Sequence, residues 1–206
     1  LYLSADKQTP RVHRVDMKLR RGVPKPTQLG LLFRRYVEGG IVAHVSQPPW
    51  ERVMLIDVEG PEGDVTIVIE PMERRRNLLL LRDGVIMDCV QRVGPEDNRY
   101  RVSLPNHRYM PPPPMKDRHN PFTLSIEDMQ LLFDKHTDDA SMKAHRLLTA
   151  NLFGFSPLLA REVVFRASGD ASASLSALDA GGLHAALRDV AGPLANRDWQ
   201  PGTAED

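Results

Sequence analysis

Four consecutive prolines, at residues 111–114, divide the chain into two parts with different hydrophobic periods. Proline has no N–H to donate to a sheet and cannot continue a helix, so this run is expected to be an extended, polyproline-like connector. Apolar residues form short strand-like runs before it and recur at helical spacing after it. We therefore predict an α+β fold with a β-rich domain over residues 1–120 and an all-α domain over residues 121–206.

The first part has the pattern of an antiparallel sheet. A hairpin over residues 1–4 and 11–15 opens it, and a basic connector over residues 18–26 leads to a helix. The helix is predicted from one shared apolar face, formed by Leu29, Leu32, Phe33, Tyr36 and Val37. Strands should follow, with turns at 60–63 and 83–84, over residues 41–45, 52–58, 65–70, 77–81 and 85–93. This order predicts a β-meander with one helix packed on it.

The second part has the period of helices, predicted over residues 126–135, 141–153, 157–167 and 174–194, the last being one helix or a pair. Ser156 is a suitable N-cap with Pro157 at the first helical position, so residues 152–155 should form a tight turn. This is a helix-hairpin-helix pattern. Backbone N–H groups in such a unit can hold a phosphate, but the sequence alone favours plain helix packing.

Composition restricts the class of protein. The 206 residues are 41% hydrophobic and 26% charged, which is typical of a globular chain. No apolar run approaches the roughly 20 residues that cross a bilayer, and no signal-peptide pattern opens the chain, so we expect a cytoplasmic protein without a membrane partner. The single cysteine, Cys89, is expected to be a buried, unreactive thiol. The chain starts at Leu1 rather than methionine, which suggests a fragment.

The net charge of zero hides an asymmetry between the two parts. Residues 1–120 carry 20 Lys and Arg against 15 Asp and Glu, whereas residues 121–206 carry 7 against 12. A polyanion would prefer the first part, because Lys and Arg that contact phosphates release counterions. An imbalance of this size is also common on ordinary solvated surfaces, so charge alone leaves both interpretations open.

Four segments, in order and at matching spacing, resemble one protein family. Residues 32–40 (LFRRYVEGG) are similar to the family's LRKHLEGG, and residues 50–52 (WER) to its LDR. Residues 69–78 (IEPMERRRNL) resemble ELMGRHSNI, with the glutamate, methionine, first arginine and asparagine in register. Residues 104–113 resemble LPGLPYVPP, and residues 154–162 (GFSPLLARE) resemble GLSPLLAKE. The chain is thus similar to the RqcH or NFACT family, also called fibronectin-binding protein A-like.

This resemblance implies a fold and a function. The expected fold is a β-rich domain similar to the N-terminal domain of formamidopyrimidine-DNA glycosylases, followed by helix-hairpin-helix elements. Family members bind large ribosomal subunits that hold an obstructed peptidyl-tRNA, recruit alanyl-tRNA and support alanine tailing of the stalled chain. Their other expected partner is an RqcP-like protein. Because the ribosome carries out the peptide-bond chemistry, the resemblance implies a factor that is not an enzyme and needs no cofactor.

The resemblance also implies a tRNA-binding set, which consists of Arg34, Glu51, Arg52, Glu70, Met72, Arg74, Arg75 and Asn77. Arg52, expected at the beginning of a strand, offers a planar donor fork that suits a phosphate or a base edge. Arg74, Arg75 and Arg76 are expected in a loop between two strands, where positive charge can approach RNA. The family's usual residues differ here at Glu51 (aspartate) and at Glu73, Arg75 and Arg76 (glycine, histidine and serine).

Structural interpretations of the same residues stay open. Glu51 and Arg52 would form a surface ion pair of little energetic value, and the three arginines would belong to a solvated loop. Glu70 and Met72 would be scaffold, since Glu70 falls on the face opposite Val65, Ile67 and Ile69. Asn77 would cap a turn, and Arg34 and Arg35 would lie on a solvated helix face.

No other constellation of residues indicates chemistry. No pair at ligand spacing occurs among the histidines, so no metal is predicted at His13, His44, His107, His119, His136, His145 or His184. Phosphate loops and nucleophile motifs are also missing from the sequence, and no catalytic residue is predicted.

Two alternatives belong to other functional classes. A DNA glycosylase-like enzyme would share a β-rich domain and helix-hairpin-helix, but it would need a nucleophilic N-terminal amine. An extracellular fibronectin-binding adhesin is suggested by the older family name, although no secretion signal, wall anchor or repeat appears in the sequence. Sequencing of bound RNA and cell fractionation would separate these alternatives from the ribosomal role.

Overall fold

The computed structural model describes residues 1–17, 25–113, 115–136, 139 and 141–198. The chain divides into two compact units, Leu1–Pro114 and Met115–Asp206. A β-sheet dominates the first unit and helices make up the second, in agreement with the predicted order of elements. Most of the predicted connector, residues 18–24, lies outside the described residues. The assignment of residues 1–120 and 121–206 to two family domains stays a prediction.

The first unit opens with the predicted hairpin. Strands β1 (Tyr2–Ser4) and β2 (Arg11–His13) pair antiparallel, with Leu3 opposite Val12. The turn between them is held by the Asp6 carboxylate, which accepts hydrogen bonds from the backbone N–H of Gln8 at 2.9 Å and of Thr9 at 3.0 Å. An aspartate that bonds the backbone two and three residues onward stabilises a turn locally, so the hairpin is confirmed.

Helix α1 (Gln28–Tyr36) follows, and its predicted apolar face is confirmed. The Thr27 hydroxyl accepts a hydrogen bond from the Gly30 N–H at 3.1 Å and caps the helix N-terminus. Leu29 and Tyr36 are buried in the core of the first unit. Gly39 then adopts a φ of 84°, a conformation that few other residues tolerate, and so allows the chain to leave the helix.

The sheet is the predicted five-stranded antiparallel meander, in the order β3-β4-β5-β6-β7. Its strands are β3 (Ile41–Ser46), β4 (Met54–Glu59), β5 (Val65–Glu70), β6 (Asn77–Arg82) and β7 (Val85–Cys89). The turn between β6 and β7 has positive φ at both Asp83 (50°) and Gly84 (74°), which matches the right-handed twist of the strands it joins.

Three predicted strand boundaries are wrong by two residues or more. Strand β2 ends at His13 rather than residue 15, and the other two errors have clear structural causes. Strand β4 begins at Met54 rather than residue 52, because a turn closed by the Glu51 N–H and the Pro48 carbonyl, at 3.1 Å, precedes it. Arg52 therefore lies just before a strand instead of at its beginning. Strand β7 ends at Cys89 rather than residue 93, because the backbone of Gln91 turns to bond the side chain of Asn77.

Hydrophobic residues pack on both faces of the sheet. One face, under α1 and the hairpin, contains the buried Ile56, Ile67, Ile69 and Leu80. The opposite face contains a second cluster, formed by Val53, Val68, Leu79, Leu81, Ile86 and Cys89. Each buried aliphatic side chain contributes about 1.5–3 kcal/mol, so both faces support the sheet and fix its register.

The second unit consists of helices α2 (Ile126–Asp134), α3 (Ala144–Asn151), α4 (Pro157–Ser168) and α5 (Ala180–Ala195) around one apolar core. A short 3-10 turn, Leu175–Ala177, precedes α5. Ser156 caps α4 as predicted, since its hydroxyl accepts a hydrogen bond from the Leu159 N–H at 3.2 Å. The helix-hairpin-helix assignment of α3, the turn and α4 stays a prediction.

The predicted start of the second helix of this unit, at residue 141, is wrong by three residues. Lys143 forms an antiparallel bridge with Ser174, and the Ala144 N–H donates to the Ala173 carbonyl at 3.1 Å. These contacts with a distant segment hold the chain extended, so α3 begins only at Ala144. Within the described part of the chain, none of the helices is both long and apolar enough to span a membrane.

The Cys89 thiol is buried and donates to the Gln91 carbonyl at 3.3 Å and the Ser103 carbonyl at 3.4 Å. Burial, followed by the charge of Asp88, raises the pKa of the Cys89 thiol to about 11. The thiolate is the reactive form, and a free cysteine has a pKa near 8.5, so the native thiol should react on the order of a hundredfold more slowly than the unfolded one. Alkylation rates of native and urea-unfolded chain at pH 8 measure this; equal rates would contradict a buried, protonated Cys89.

Candidate functional site

Three consecutive arginines lie where β5 returns into β6. The connection is a short 3-10 turn, Glu73–Arg75, closed by a 2.8 Å hydrogen bond from the Arg75 N–H to the Met72 carbonyl. The side chains of Arg74 and Arg75 are exposed. Arg76 is half-buried, and its Nε donates to the Ala5 carbonyl at 3.1 Å, which ties the turn to the hairpin. The predicted loop is therefore an ordered turn that presents two of its arginines to solvent.

These arginines border an open cavity of about 420 Å³, which we call the arginine cavity. Among the described residues, its charged lining consists of five arginines and two acids, namely Arg74, Arg75, Arg76, Arg92, Arg101, Glu70 and Asp97. The walls come from the ends of β5 and β6 and from the segment after β7, so residues far apart in the sequence meet here. Such a concave surface with an excess of guanidinium groups suits an anionic ligand.

The floor of the arginine cavity is a buried ion pair. Glu70 is 1% exposed, and its carboxylate accepts from the Arg101 guanidinium and from the Tyr109 hydroxyl, the latter at 2.8 Å. Arg101 also donates to the Met110 carbonyl at 2.6 Å and lies 5.5 Å from the centre of the Tyr109 ring. Burial, reinforced by Glu70, raises the pKa of Tyr109 well above its ordinary value, so the hydroxyl stays a donor.

The bonds of Glu70 to Arg101 and Tyr109 thus hold the long segment after β7 against the sheet. Its position on the face opposite Val65, Ile67 and Ile69 is confirmed, because those three residues belong to the other core cluster. With its carboxylate buried and already bonded, Glu70 fits the scaffold interpretation better than direct contact with a ligand. Met72 packs against the same second cluster and also fits a scaffold role.

Asn77 is a second anchor of this segment. It is 3% exposed; its Nδ2 donates to the Gln91 carbonyl at 2.8 Å and its Oδ1 accepts from the Gln91 N–H at 2.9 Å. The side chain of Asn77 therefore replaces one rung of a β-ladder, rather than only capping a turn. The side-chain oxygen of Gln91, Oε1, is buried without a hydrogen-bond partner among the described residues, although Gln91 lines the cavity.

The arginines differ in how far their charge is already neutralised. Arg101 pairs with Glu70, and Arg92 pairs with the buried Asp88 at 3.0 Å. Arg74 and Arg75 form no ion pair with any side chain that the structure describes. The uncompensated positive charge of the cavity therefore comes from the 3-10 turn.

The remaining predicted residues lie outside the lining of the cavity. Arg52 is exposed, and Glu51 is half-buried with its carbonyl accepting from Gln47 Nε2 at 2.7 Å. No ion pair joins Glu51 to Arg52 among the described contacts. Because Met54 pairs with Ile69, Arg52 lies at the end of the sheet that also carries the arginine cavity. Arg34 is exposed on α1, where the neighbouring Arg35 pairs with Glu62 at 2.6 Å.

Sequence patterns missed most of the wall formed after β7. Gln91, Arg92, Asn98, Arg101 and Ser103 line the cavity, but none was predicted as part of a site. Their segment contains no regular strand or helix, and Arg101 meets a partner 31 positions earlier in the chain. A local pattern carries no information on such a pairing. Among the described residues, no group of three or more potential ligands could hold a metal ion.

A sheet that presents an arginine-lined cavity at one end, followed by a helical unit, defines an α+β chain with a surface that suits an anionic ligand. A family model described as "NFACT N-terminal and middle domains" matches residues 1–206, and the chain belongs to this family. A curated relative named "Rqc2 homolog RqcH" from Bacillus subtilis is 29% identical over 174 residues. The match spans 81% of this chain but only 30% of that relative. A relative of the same name from Streptococcus pneumoniae is 28% identical over 51% of this chain and 20% of its own length.

Solved structures support the fold. The N-terminal part of the fibronectin/fibrinogen-binding protein from Streptococcus suis has a TM-score of 0.64 at 21% identity, covering 90% of this chain and 66% of that chain. The fibrinogen binding protein from Staphylococcus aureus has a TM-score of 0.62 at 23% identity, covering 82% of this chain and 59% of that chain. At these identities the likeness establishes the architecture of the chain.

Replacement of Glu70 tests the floor of the cavity. Glu70→Gln leaves the Arg101 guanidinium, 12% exposed, without its carboxylate, and should lower the free energy of unfolding by about 3–5 kcal/mol. Glu62→Gln is the matched control, because it breaks the exposed pair with Arg35 and should cost about 0–1 kcal/mol. Urea unfolding measures both variants. Equal stability of the two would show that the buried pair does not hold the unit together.

Proposed function

We propose that this chain is the N-terminal part of a non-catalytic, RNA-binding factor of ribosome-associated quality control, and that the arginine cavity is part of its tRNA-binding surface. The observation that carries the proposal is a pair of exposed guanidinium groups, Arg74 and Arg75, which form no ion pair with any described side chain and lie beside a cavity with an excess of arginines. Guanidinium groups contact phosphate through two parallel hydrogen bonds, and their charge supplies sequence-independent affinity for RNA.

The cavity also offers groups that suit a nucleotide rather than a bare phosphate. Gln91 lines the cavity, and a side-chain amide can both donate to and accept from a ligand. Amino groups of bases and ribose 2′-hydroxyls can donate to such an amide, whereas a phosphate carries acceptors only at neutral pH. Asn98 and Ser103 add further polar side chains to the same wall.

Arg52 extends this surface at the same end of the sheet. It is exposed just before β4, in a segment similar to the family's LDR, and it has no ion-pair partner among the described side chains. A surface made of Arg52, Arg74 and Arg75 spans two neighbouring strand connections. Contacts spread in this way can follow an RNA backbone, so these three residues are the main proposed tRNA contacts.

The finer parts of the proposal rest on membership of the family. They include recruitment of alanyl-tRNA for alanine tailing, binding to large subunits with an obstructed peptidyl-tRNA, an RqcP-like partner and a location in the cytoplasm. They also include a likeness of the first unit to the formamidopyrimidine-DNA glycosylase N-terminal domain, and helix-hairpin-helix character for α3 and α4. Since the chain spans about a third of the Bacillus subtilis relative, further contacts of that whole protein lie beyond this chain.

Sequencing of the RNA that copurifies with the protein tests the tRNA surface. The variant Arg52→Ala plus Arg74→Ala removes two exposed guanidinium groups and should lower recovered tRNA at least about tenfold, because each lost phosphate contact weakens binding and its salt dependence. Alanine tRNA should dominate the RNA bound to the unchanged protein.

A matched control removes the same charge from the other end of the sheet. Arg82→Ala plus Arg108→Ala changes two exposed arginines close to the turn between β6 and β7, and should leave tRNA recovery unchanged. Equal loss in both double variants would indicate only a general charge effect. Equal recovery from all proteins would place the tRNA site elsewhere, and absence of tRNA from the unchanged protein would refute the proposal.

A second candidate function is suggested by the solved neighbours, which are described as fibrinogen- and fibronectin-binding proteins. Binding of fibronectin to the purified protein, measured by surface plasmon resonance at physiological salt, tests this candidate. If fibronectin binds and no tRNA copurifies, adhesion becomes the better explanation. If tRNA binds and fibronectin does not, the ribosomal role stands alone.

A further inference from the structure

Strand β3 forms an exposed outer edge of the sheet. Among the described residues it pairs with β4 alone, so the backbone groups on its other side have no strand partner there. Three of its apolar side chains are more than half exposed, at 68% for Ile41, 57% for Val42 and 52% for Val45. An exposed edge of this kind is a template for another strand.

The inner side of this edge continues the apolar core. Val42 and Val45 lie opposite Val58 and Ile56, which are both buried under the first unit's helix and hairpin. Cross-strand partners project to the same face of a sheet. Among the described elements, α1 packs mainly on β6 and β7, and the side chains of Val42 and Val45 are more than half exposed. The apolar face of the sheet thus continues onto β3, where it is open to solvent.

The other side of the same edge is acidic. Ile41 lies opposite Glu59, and His44 lies opposite Asp57. From Ala43, an open cavity of about 360 Å³ runs to the turn between β6 and β7, and every charged residue in its described lining is an acid: Asp57, Glu59, Asp64 and Asp83. This acidic groove lies at the end of the sheet away from the arginine cavity.

We infer that β3 accepts a short, extended, basic segment of a partner protein as an added strand. In such a strand alternate side chains point to opposite faces. Apolar side chains would pack on Val42 and Val45, while lysine or arginine side chains would reach the acidic groove. RNA is the wrong partner for this edge because the four carboxylates of the groove repel phosphate. Arg82 and Arg108 also lie at this end of the sheet, but near the turn between β6 and β7, on the side away from β3.

The local sequence of β3 fits an edge that pairs with an added strand. Of the devices that protect a sheet edge, residues 41–46 contain no lysine, proline or inward-pointing charge, although they do contain a bulge. A register shift between Val42 and His44 makes Ala43 a bulge, which bends the strand and limits regular pairing to a short stretch. The partner segment should therefore be short, and its charge should contribute much of the specificity.

A synthetic peptide tests this inference without any RNA. The probe is a fluorescein-labelled octapeptide of alternating valine and lysine, and its matched control alternates valine and glutamate. Fluorescence anisotropy with the longest available form of the protein should show saturable binding of the lysine peptide, weakening with salt, and none of the glutamate peptide. Hydrogen exchange should show that the amides of residues 41–46 gain protection when the lysine peptide is added.

Variants locate the binding. Val45→Lys puts a charge on the apolar side of the edge, and Glu59→Gln plus Asp64→Asn removes two exposed carboxylates of the groove. Each of these two variants should weaken binding of the lysine peptide at least about tenfold. Val90→Lys is the matched control, because Val90 is 54% exposed but lies outside β3. Circular dichroism and unchanged urea unfolding would confirm that the variants fold.

Three results would overturn the inference. The lysine peptide could fail to bind, or it could bind all variants equally. Alternatively, the β3 amides could already be protected from exchange without peptide. Protection that depends on protein concentration would identify a second copy of the chain as the occupant of the edge. Protection at all concentrations would identify another segment of the same protein. None of these outcomes bears on the arginine cavity, so the tRNA proposal is tested separately.

Discussion

The buried pair of Glu70 with Arg101 is the contact on which the first unit depends. A carboxylate with 1% exposure is costly to bury unless it is paired and bonded, and here it receives the guanidinium of Arg101 and the hydroxyl of Tyr109. These bonds draw the irregular segment after β7 over the second face of the sheet. That segment supplies one wall of the arginine cavity, so the same pair stabilises the core and shapes the site.

The sheet also separates charge along its length. The connection between β5 and β6 carries Arg74 and Arg75, which form no ion pair with any described side chain, whereas the opposite end of the strands carries Asp57, Glu59 and Asp64. Strands of six residues span roughly 20 Å, about twice the Debye length at physiological salt, so each end presents its own potential. The net charge of the chain is zero, but the two ends of the sheet differ in the sign of their charge.

Much of the fold follows from local patterns in the sequence, and the errors have identifiable causes. Apolar residues that repeat at the period of each element predict the helices and strands, and Ser156 lies at the predicted cap. The boundary at residue 52 is wrong because a local turn from Pro48 to Glu51 precedes the strand, whereas those at residues 93 and 141 are wrong because contacts with distant segments override local preference. Resemblance to the family indicated Arg74, but the partner of Glu70 lies 31 positions away, beyond the reach of any local pattern.

The affinity of this chain for RNA is limited by how many arginines of the cavity are already paired with acids. Arg92 and Arg101 are neutralised by buried acids, so they can donate hydrogen bonds to a ligand but add little net attraction. Electrostatic affinity then rests mainly on Arg52, Arg74 and Arg75, which is few contacts for an RNA of tRNA size. Under the tRNA proposal, stable binding would therefore need further contacts; the Bacillus subtilis relative, of which the match spans 30%, has the length to supply such contacts in that protein. Linked contacts raise affinity through effective concentration, and the arginine cavity would then act mainly to orient the RNA.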